Sequence, residues 1–169
     1  MKKVLYISSF LLLIFAKQAM AEVHSFTALP LTQDAWTDIE ALVQSDSRII
    51  YVSTSGSDEA GGYSSPSDPA LSGSYSVLGP NESEISPYKS LEAGYEQLRD
   101  GYADFLLLKR GDIWAEEGLN DWRKSGRSQT ERMVFGAYGD ESIDRPVVGT
   151  QVAIRGSLVS FLVFSSIEL

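Results

Sequence analysis

The chain has 169 residues, with 23 acidic against 14 basic side chains, and its formal net charge is −9. This charge makes nucleic acids and anionic membrane surfaces poor partners, because both would repel the protein. The absence of cysteine excludes disulfides, thiol nucleophiles and thiolate-bound metals. A Ser-His-Asp triad or a histidine-bound zinc site is not expected either, since the only histidine is His24.

The first 21 residues show, in order, the features of a secretory signal peptide. Two lysines give a positive start, residues 4–16 are almost entirely apolar, and Ala19-Met20-Ala21 supplies the small-x-small pattern that a signal peptidase accepts. The apolar stretch is shorter than the roughly 20 residues that span a bilayer, which favours a cleaved signal over an uncleaved anchor. We predict cleavage after Ala21 and a secreted or periplasmic protein. No second long apolar segment follows, so no membrane association is expected after cleavage.

Removal of this segment takes away three lysines and no acid, which changes the formal net charge from −9 to −12. So acidic a surface is compatible with bound calcium or with neutral sugars. Solubility alone also accounts for it, without any ligand.

Residues 22–48 are predicted to form a lead-in and a short helix. The helix is predicted from Leu31 to Val43, because Thr32 is a good N-cap and apolar residues follow it at helical spacing. The remaining 49–169 are predicted to form one domain.

The domain begins with a predicted strand and a long predicted loop. Residues 49–52 are β-branched and aromatic, which is typical of a strand. Residues 54–86 are rich in Ser, Gly, Asp and Pro, which predicts a loop much longer than most connections in a compact domain. Such a loop is either a binding loop or a variable decoration.

A second helix is predicted over residues 87–100, with Ser86 as N-cap, Pro87 at the first helical position and Gly101 as the stop. Its apolar stripe follows a 3.6-residue period and consists of Tyr88, Leu91, Tyr95, Leu98 and Tyr102. A stripe of this kind predicts core packing rather than a ligand site.

Three apolar runs follow, beginning at Phe105, Met133 and Phe161, each 28 residues after the previous one. A fixed spacing in this range is typical of stacked repeats, although two intervals can also arise by chance. Shorter runs at 146–148 and 152–154 predict further strands between the second and third. Residues 160–169 read as an apolar strand without a turn or polar tail, so we expect the sequence to be part of a longer chain.

Several segments together resemble one family of secreted proteins. In chain order they are Tyr51–Asp58, Ser86–Leu91, Phe105–Trp114, Ser125-Gly126, Met133–Gly139 and Ser160–Leu169. Their order and spacing resemble the right-handed parallel β-helix proteins of the pectate-lyase-like superfamily. The resemblance covers roughly residues 49–169, and no single motif in it is decisive.

The resemblance implies a mainly β fold: a right-handed parallel β-helix, of which this chain holds the N-terminal capping helix and the first two to three coils. It implies a partner that is a polysaccharide or cell-surface glycan, and an exported lyase or glycoside hydrolase, with calcium as a cofactor that such enzymes often use. Catalytic residues in this superfamily usually lie on middle coils, so no residue of this chain is assigned a catalytic role.

Two other readings stay open. The first is a non-enzymatic extracellular β-helix that binds carbohydrate or mediates adhesion. The second is a fragment that does not fold alone, because too few coils stack to bury a continuous core. The sequence does not indicate an oligomeric state.

Two acidic pairs beside glycines, Asp58-Glu59 and Asp140-Glu141, are candidates for a calcium site, since calcium prefers several oxygen ligands. Each pair alone is far short of six ligands, so solvated turns are the simpler interpretation. Asn81-Glu82-Ser83 fits the glycosylation acceptor pattern, which is common by chance.

Basic and aromatic side chains supply the other candidates. Lys109-Arg110 and Arg123-Lys124, with Arg127, have the charge to meet an acidic sugar. Trp114 and Trp122 have the rings to stack on sugars. The simpler interpretation places the basic residues at strand ends and packs the tryptophans in loops, and exposure decides between the two.

Overall fold

A computed structural model describes residues 38–149, 154–156 and 159–167. The predicted signal peptide with its cleavage after Ala21, the lead-in with His24, and most of the predicted first helix lie outside these ranges. The described residues form nine strands, one α-helix and two 3-10 helices, which is compatible with the predicted mainly β chain. Within the same ranges, no helix is both long and apolar enough to cross a membrane.

The elements follow one another in a regular order. The strands are β1 (Ile49–Val52), β2 (Tyr63–Ser64), β3 (Phe105–Lys109), β4 (Ile113–Trp114), β5 (Leu119–Trp122), β6 (Met133–Tyr138), β7 (Val147–Val148), β8 (Ile154–Gly156) and β9 (Leu162–Phe164). The α-helix is α1 (Leu91–Gln97), and the 3-10 helices are Glu40–Leu42 and Pro69–Leu71.

The strands form three sheets that the chain visits in turn. The largest has the order β2-β1-β3-β6-β9, in which β2 is antiparallel to β1 and the other pairs are parallel. β4 pairs with β7, and β5 pairs with β8, both in parallel. From β3 the chain passes to the second sheet, then to the third, and returns to the first at β6. It then repeats the same order through β7, β8 and β9.

The repeat of the first sheet is 29 residues long, not the 28 predicted from the apolar runs. Phe105 is aligned with Val134, and Val134 is aligned with Val163. The first residue of β3 thus pairs with the second residue of β6, so the spacing of the runs and the pairing register differ by one. In the third apolar run, β9 likewise begins at Leu162 rather than Phe161, because Phe161 has a left-handed backbone with φ 57°.

The main sheet is apolar on both faces, which explains why β1, β3 and β6 read as continuous apolar runs. One face belongs to an interior cluster between the three sheets. Its buried members are Ile50, Val52, Tyr88, Leu91, Leu98, Leu106, Leu108, Trp114, Leu119, Trp122, Met133, Phe135 and Val148. The opposite face belongs to an outer cluster, whose buried members are Leu42, Ile49, Tyr51, Ala70, Val77, Ile85, Phe105, Leu107, Val134 and Tyr138.

The outer face is covered by residues 69–85, which we call the covering segment, and by the 3-10 helix Glu40–Leu42. The Tyr51 hydroxyl donates a hydrogen bond to the carbonyl of Val77 at 2.8 Å, and burial raises the pKa of this hydroxyl. The predicted loop 54–86 therefore contains structure, namely β2 and the 3-10 helix Pro69–Leu71, and much of it packs on the sheet.

The first predicted helix is wrong over the part that the structure describes. Only Glu40–Leu42 are helical there, as a 3-10 turn, and Val43 is already extended. The Asp38 carboxylate accepts a hydrogen bond from the backbone N–H of Ala41, which fits a single turn. Leu42 is then fully buried in the outer cluster.

Helix α1 is shorter than the predicted 87–100, and its N-cap is Ser90 rather than Ser86. The Ser90 hydroxyl accepts a hydrogen bond from the N–H of Ala93, as an N-cap does. Residues just before it are extended, because Tyr88 forms a parallel bridge with Val52. The N–H of Tyr88 donates to Tyr51 O at 2.9 Å, and the carbonyl of Tyr88 accepts from Ser53 N at 2.8 Å. The backbone groups of Tyr88 are thus bonded to the first strand and its next residue, so a helix cannot begin at Ser86.

The helix packs on the interior cluster beside β1, as the apolar stripe predicts. Leu91 and Leu98 are buried in that cluster, and Tyr95 packs against it. Gly94 lies so close to β1 that a Cβ there would be 2.6 Å from Val52 Cγ2. α1 therefore covers the apolar interior next to the first strand.

Candidate functional site

The two tryptophans of the described chain are core residues, so the sugar-stacking interpretation of Trp114 and Trp122 is wrong. Their exposed fractions are 3% and 0%. Trp114 Nε1 donates to Lys89 O at 3.1 Å, and Trp122 Nε1 donates to Lys124 O at 2.7 Å. Trp122 also packs against Phe135, with ring centroids 5.6 Å apart. Such burial with a satisfied indole N–H is typical of a structural tryptophan.

Three of the predicted basic candidates form ion pairs at the surface. Lys109 pairs with Glu82, and Arg123 pairs with Asp121, each at 2.6 Å. Arg127 pairs with both Asp46 and Glu131, also at 2.6 Å. Hydrogen bonding to Arg127 lowers the pKa of Asp46 and keeps that carboxylate ionised. These three cations are therefore occupied by carboxylates of the same chain.

Lys124 is a helix-terminating residue rather than a ligand residue. Its ammonium group donates to the carbonyls of Tyr95 and Leu98 at 2.8 Å each, and to that of Glu96 at 3.1 Å. The last carbonyls of a helix have no partner within it, and a cation there also complements the helix dipole. Partial burial lowers the pKa of Lys124.

One aspartate of each acidic pair accepts hydrogen bonds from backbone N–H groups. Asp58 Oδ1 accepts from the N–H groups of Lys89 and Ser90, at 2.8 and 2.9 Å, and these bonds lower its pKa. Asp140 accepts from the N–H of Ser142 at 2.8 Å. Across the described ranges, no group of three or more His, Asp or Glu side chains is placed to hold a metal ion. A calcium cofactor therefore stays an expectation from the family resemblance, and no described residue is assigned to it.

A cleft of about 360 Å³ lies at the outer face, between residues 76–79 of the covering segment and the carboxyl ends of β3, β6 and β9. Its lining residues are Ile39, Glu40, Ser76, Leu78, Gly79, Arg110, Gly136, Ala137, Gly139, Glu141, Ser165 and Ser166. We call it the outer cleft. Its size falls within the range of small-molecule sites.

The floor of the outer cleft exists because β6 carries a glycine on its outer side. Gly136 is aligned with Leu107 of β3, and Leu107 is buried in the outer cluster. A Cβ at Gly136 would be 3.2 Å from Leu107 Cδ2. Any side chain at this position would therefore occupy the space above the sheet.

One wall of the outer cleft is fixed by hydrogen bonds from the covering segment. Gly139 N donates to Leu78 O at 2.8 Å, and Leu78 N donates to Glu40 Oε1 at 3.1 Å. The Ser76 hydroxyl accepts from Gly79 N at 3.1 Å, which closes the turn. This wall is thus preformed by hydrogen bonds within the chain.

The charged groups of the outer cleft are two glutamates and one arginine. Glu40 and Glu141 are solvent-exposed, and Arg110 is half-buried. Arg110 Nη1 donates to Ile143 O at 3.3 Å, and the guanidinium forms no ion pair with any described residue. It is the member of the predicted basic set that has the freedom to meet a ligand.

Sequence reasoning found part of this site. Arg110 and Glu141 were singled out, each for a different ligand, but nothing linked them. Gly136 carries the signal that was missed: a glycine inside a strand often marks a place where something approaches the backbone closely. The serines at 165 and 166 carry no such signal.

Comparison with protein-family models, with curated proteins and with solved structures finds no match for this chain. A proposal for its function therefore rests on its own sequence and geometry.

Proposed function

We propose that this chain is the N-terminal part of an exported, polysaccharide-active protein with a right-handed parallel β-helix fold, acting as a lyase or a glycoside hydrolase. The observation that carries the proposal is the order of the sheets. Each of the two described passes, β3-β4-β5 and β6-β7-β8, gives one strand to each of three sheets, and the strands of successive passes pair in parallel. Parallel crossovers are right-handed in nearly all proteins, which supports right-handed winding.

The shape of such a stack suits a linear polymer. Stacked coils present a long, nearly flat side, and solenoid proteins use extended surfaces of this kind for binding. The covering segment lies over much of the outer face of the main sheet, and the outer cleft opens beside it. The signal peptide expected over residues 1–21 would bring the protein to extracellular glycans.

The chemistry is proposed at the level of class only. A lyase needs a base beside the acidic proton of a uronate, and a hydrolase needs a pair of carboxylates. We assign neither role to a described residue, and we place the reacting groups on further coils of the same stack.

The test uses the complete reading frame that contains these residues, expressed with residues 1–21 in a secreting host. We expect a mature N-terminus at Glu22 and activity on a panel of polyuronates and neutral glycans. Ultraviolet absorbance of unsaturated products reports lyase activity, and new reducing ends report hydrolysis. Retention on immobilised glycan without cleavage would favour the non-enzymatic alternative. If the protein neither cleaves nor retains any glycan of the panel, the proposal is contradicted.

A further inference from the structure

We infer that the outer cleft binds a neutral saccharide unit rather than a uronate. The inference rests on the proposed function and adds the class of sugar and the place where it lies. Three observations carry it: the balance of charge around the cleft, the kind of hydrogen-bonding groups that line it, and the hydrogen bonds that hold its walls.

The charge balance disfavours an acidic sugar. Two carboxylates, those of Glu40 and Glu141, line the outer cleft with one guanidinium, that of Arg110. Just outside it, the Glu82 carboxylate lies 3.7 Å from where a Cβ on Gly139 would be, and Lys109 already neutralises Glu82. A uronate would gain one cation here and meet two anions, while the remainder of the chain is also acidic.

The lining groups suit hydroxyls. Carboxylate oxygens accept hydrogen bonds from sugar hydroxyls, and a guanidinium donates to them, so a polyhydroxylated neutral ring can use both signs of charge. The hydroxyls of Ser76, Ser165 and Ser166 add groups that donate and accept. Apolar side chains at the rim, Ile39 and Leu78, offer contact to the C–H face of a ring.

The cleft is also preformed. Its wall is held by the hydrogen bonds from Gly139 N to Leu78 O and from Leu78 N to Glu40 Oε1. On the opposite side, Ser165 N donates to Phe135 O at 3.0 Å, and Ser166 follows with a left-handed φ of 57°. A non-glycine residue adopts this backbone rarely, so the turn that presents the two serines is a defined one.

The experiment measures binding of two matched sets of oligosaccharides to the full-length exported protein by isothermal titration calorimetry. One set is neutral, of glucose, galactose and mannose. The other is of galacturonate and mannuronate with equal chain length. The variants are Glu141→Gln, Glu40→Gln and Arg110→Ala, with Glu116→Gln as the control. Glu116 is exposed, lies outside the outer cleft and makes no hydrogen bond with a described residue.

We expect a neutral oligosaccharide to bind, with affinity about tenfold weaker in Glu141→Gln and in Glu40→Gln and unchanged in Glu116→Gln. Glu40→Gln keeps an acceptor for Leu78 N, and equal thermal unfolding of all variants shows that the fold is intact. Two results would overturn the inference and leave the proposed function standing. One is an affinity for neutral oligosaccharides that is unchanged in the cleft variants. The other is uronate binding that is lost in Arg110→Ala. If no glycan binds at all, both the inference and the proposed function are contradicted.

Discussion

Many carboxylates of the described chain accept hydrogen bonds from backbone N–H groups where the chain enters or leaves a strand or a helix. They belong to Asp58, Asp68, Asp100, Asp104, Asp112, Glu117 and Asp140. Coils with long turns leave many backbone donors without a partner in a sheet, and a buried donor without a partner costs free energy. Part of the acidic composition is thus explained by hydrogen bonding to the backbone, and Asp58 is one example.

Asp104 shows the same principle in the interior. Its side chain is fully buried and accepts from Arg48 N and Arg99 N at 2.9 Å each, while the Arg99 guanidinium pairs with it at 2.6 Å. Hydrogen bonding to Asp104 raises the pKa of Arg99. A buried carboxylate with this many donors joins the residues before β1 to those after α1, and nothing in the sequence around it announces that role.

Asp58→Ala tests the role of turn carboxylates. We expect the free energy of unfolding to fall by about 1 kcal/mol at neutral pH, since two backbone N–H groups at the start of α1 lose their acceptor. Hydrogen bonds to Ser90 N and Lys89 N lower the pKa of Asp58 below 3.8. Its contribution is therefore complete above that value and disappears as the pH falls through the lowered folded-state pKa.

The measurement is chemical denaturation of wild type and variant at neutral pH and well below pH 3.8. Glu59→Ala is the matched control, because the Glu59 side chain makes no hydrogen bond with a described residue. A difference between wild type and Asp58→Ala that persists unchanged at the lowest pH would contradict this role.

Elements were predictable where an apolar run is long. β1, β3 and β6 lie at the predicted apolar runs. A strand that is buried on both faces is apolar at every position, so it is seen in the sequence as a continuous run. The two-residue strands β2 and β4 were not predicted, whereas β7, which is equally short, lies in the predicted run at 146–148. The start of α1 was misplaced since Ser86-Pro87 and Ser90 are both good helix starts, and only the bridge from Tyr88 to Val52 selects the second.

Gly94→Ala tests how closely α1 lies against β1. The new Cβ would be 2.6 Å from Val52 Cγ2 and 3.0 Å from Leu106 Cδ1, both in the buried interior. We expect the free energy of unfolding to fall by about 1–2 kcal/mol through overpacking, although alanine is the better helix former.

Gly62→Ala is the matched control, because a Cβ there has no atom within 4 Å, and its stability should be close to that of wild type. Thermal and urea unfolding of both variants measure the difference. A Gly94→Ala variant more stable than wild type would mean that α1 does not press on β1.

At the scale of the whole molecule, the outer cleft brings together residues from five separate stretches of chain, near positions 40, 78, 110, 137 and 165. Only the parallel register of β3, β6 and β9 with the covering segment above them makes these stretches neighbours. The spacing of apolar runs predicted stacking, but it missed the true 29-residue repeat by one. An error of one residue turns a side chain to the opposite face, so no site could be assembled from the sequence alone.

The stacking of successive passes is the claim on which both proposals rest, and an engineered disulfide tests it directly. Ile113 of β4 and Val147 of β7 are aligned in parallel, and neither side chain is buried. Neighbouring strands bring such Cα atoms within the range that a disulfide bridges. Since the chain has no cysteine, Ile113→Cys/Val147→Cys contains only the two new thiols.

The control pair is Ile113→Cys/Val148→Cys, because Val148 is aligned with Trp114 and is buried in the interior cluster. Non-reducing gel mobility and thiol titration after mild oxidation report the result. The account predicts a disulfide in the 113/147 pair and free thiols in the 113/148 pair. Free thiols in the 113/147 pair, or equal oxidation of both pairs, would contradict the stacked parallel coils.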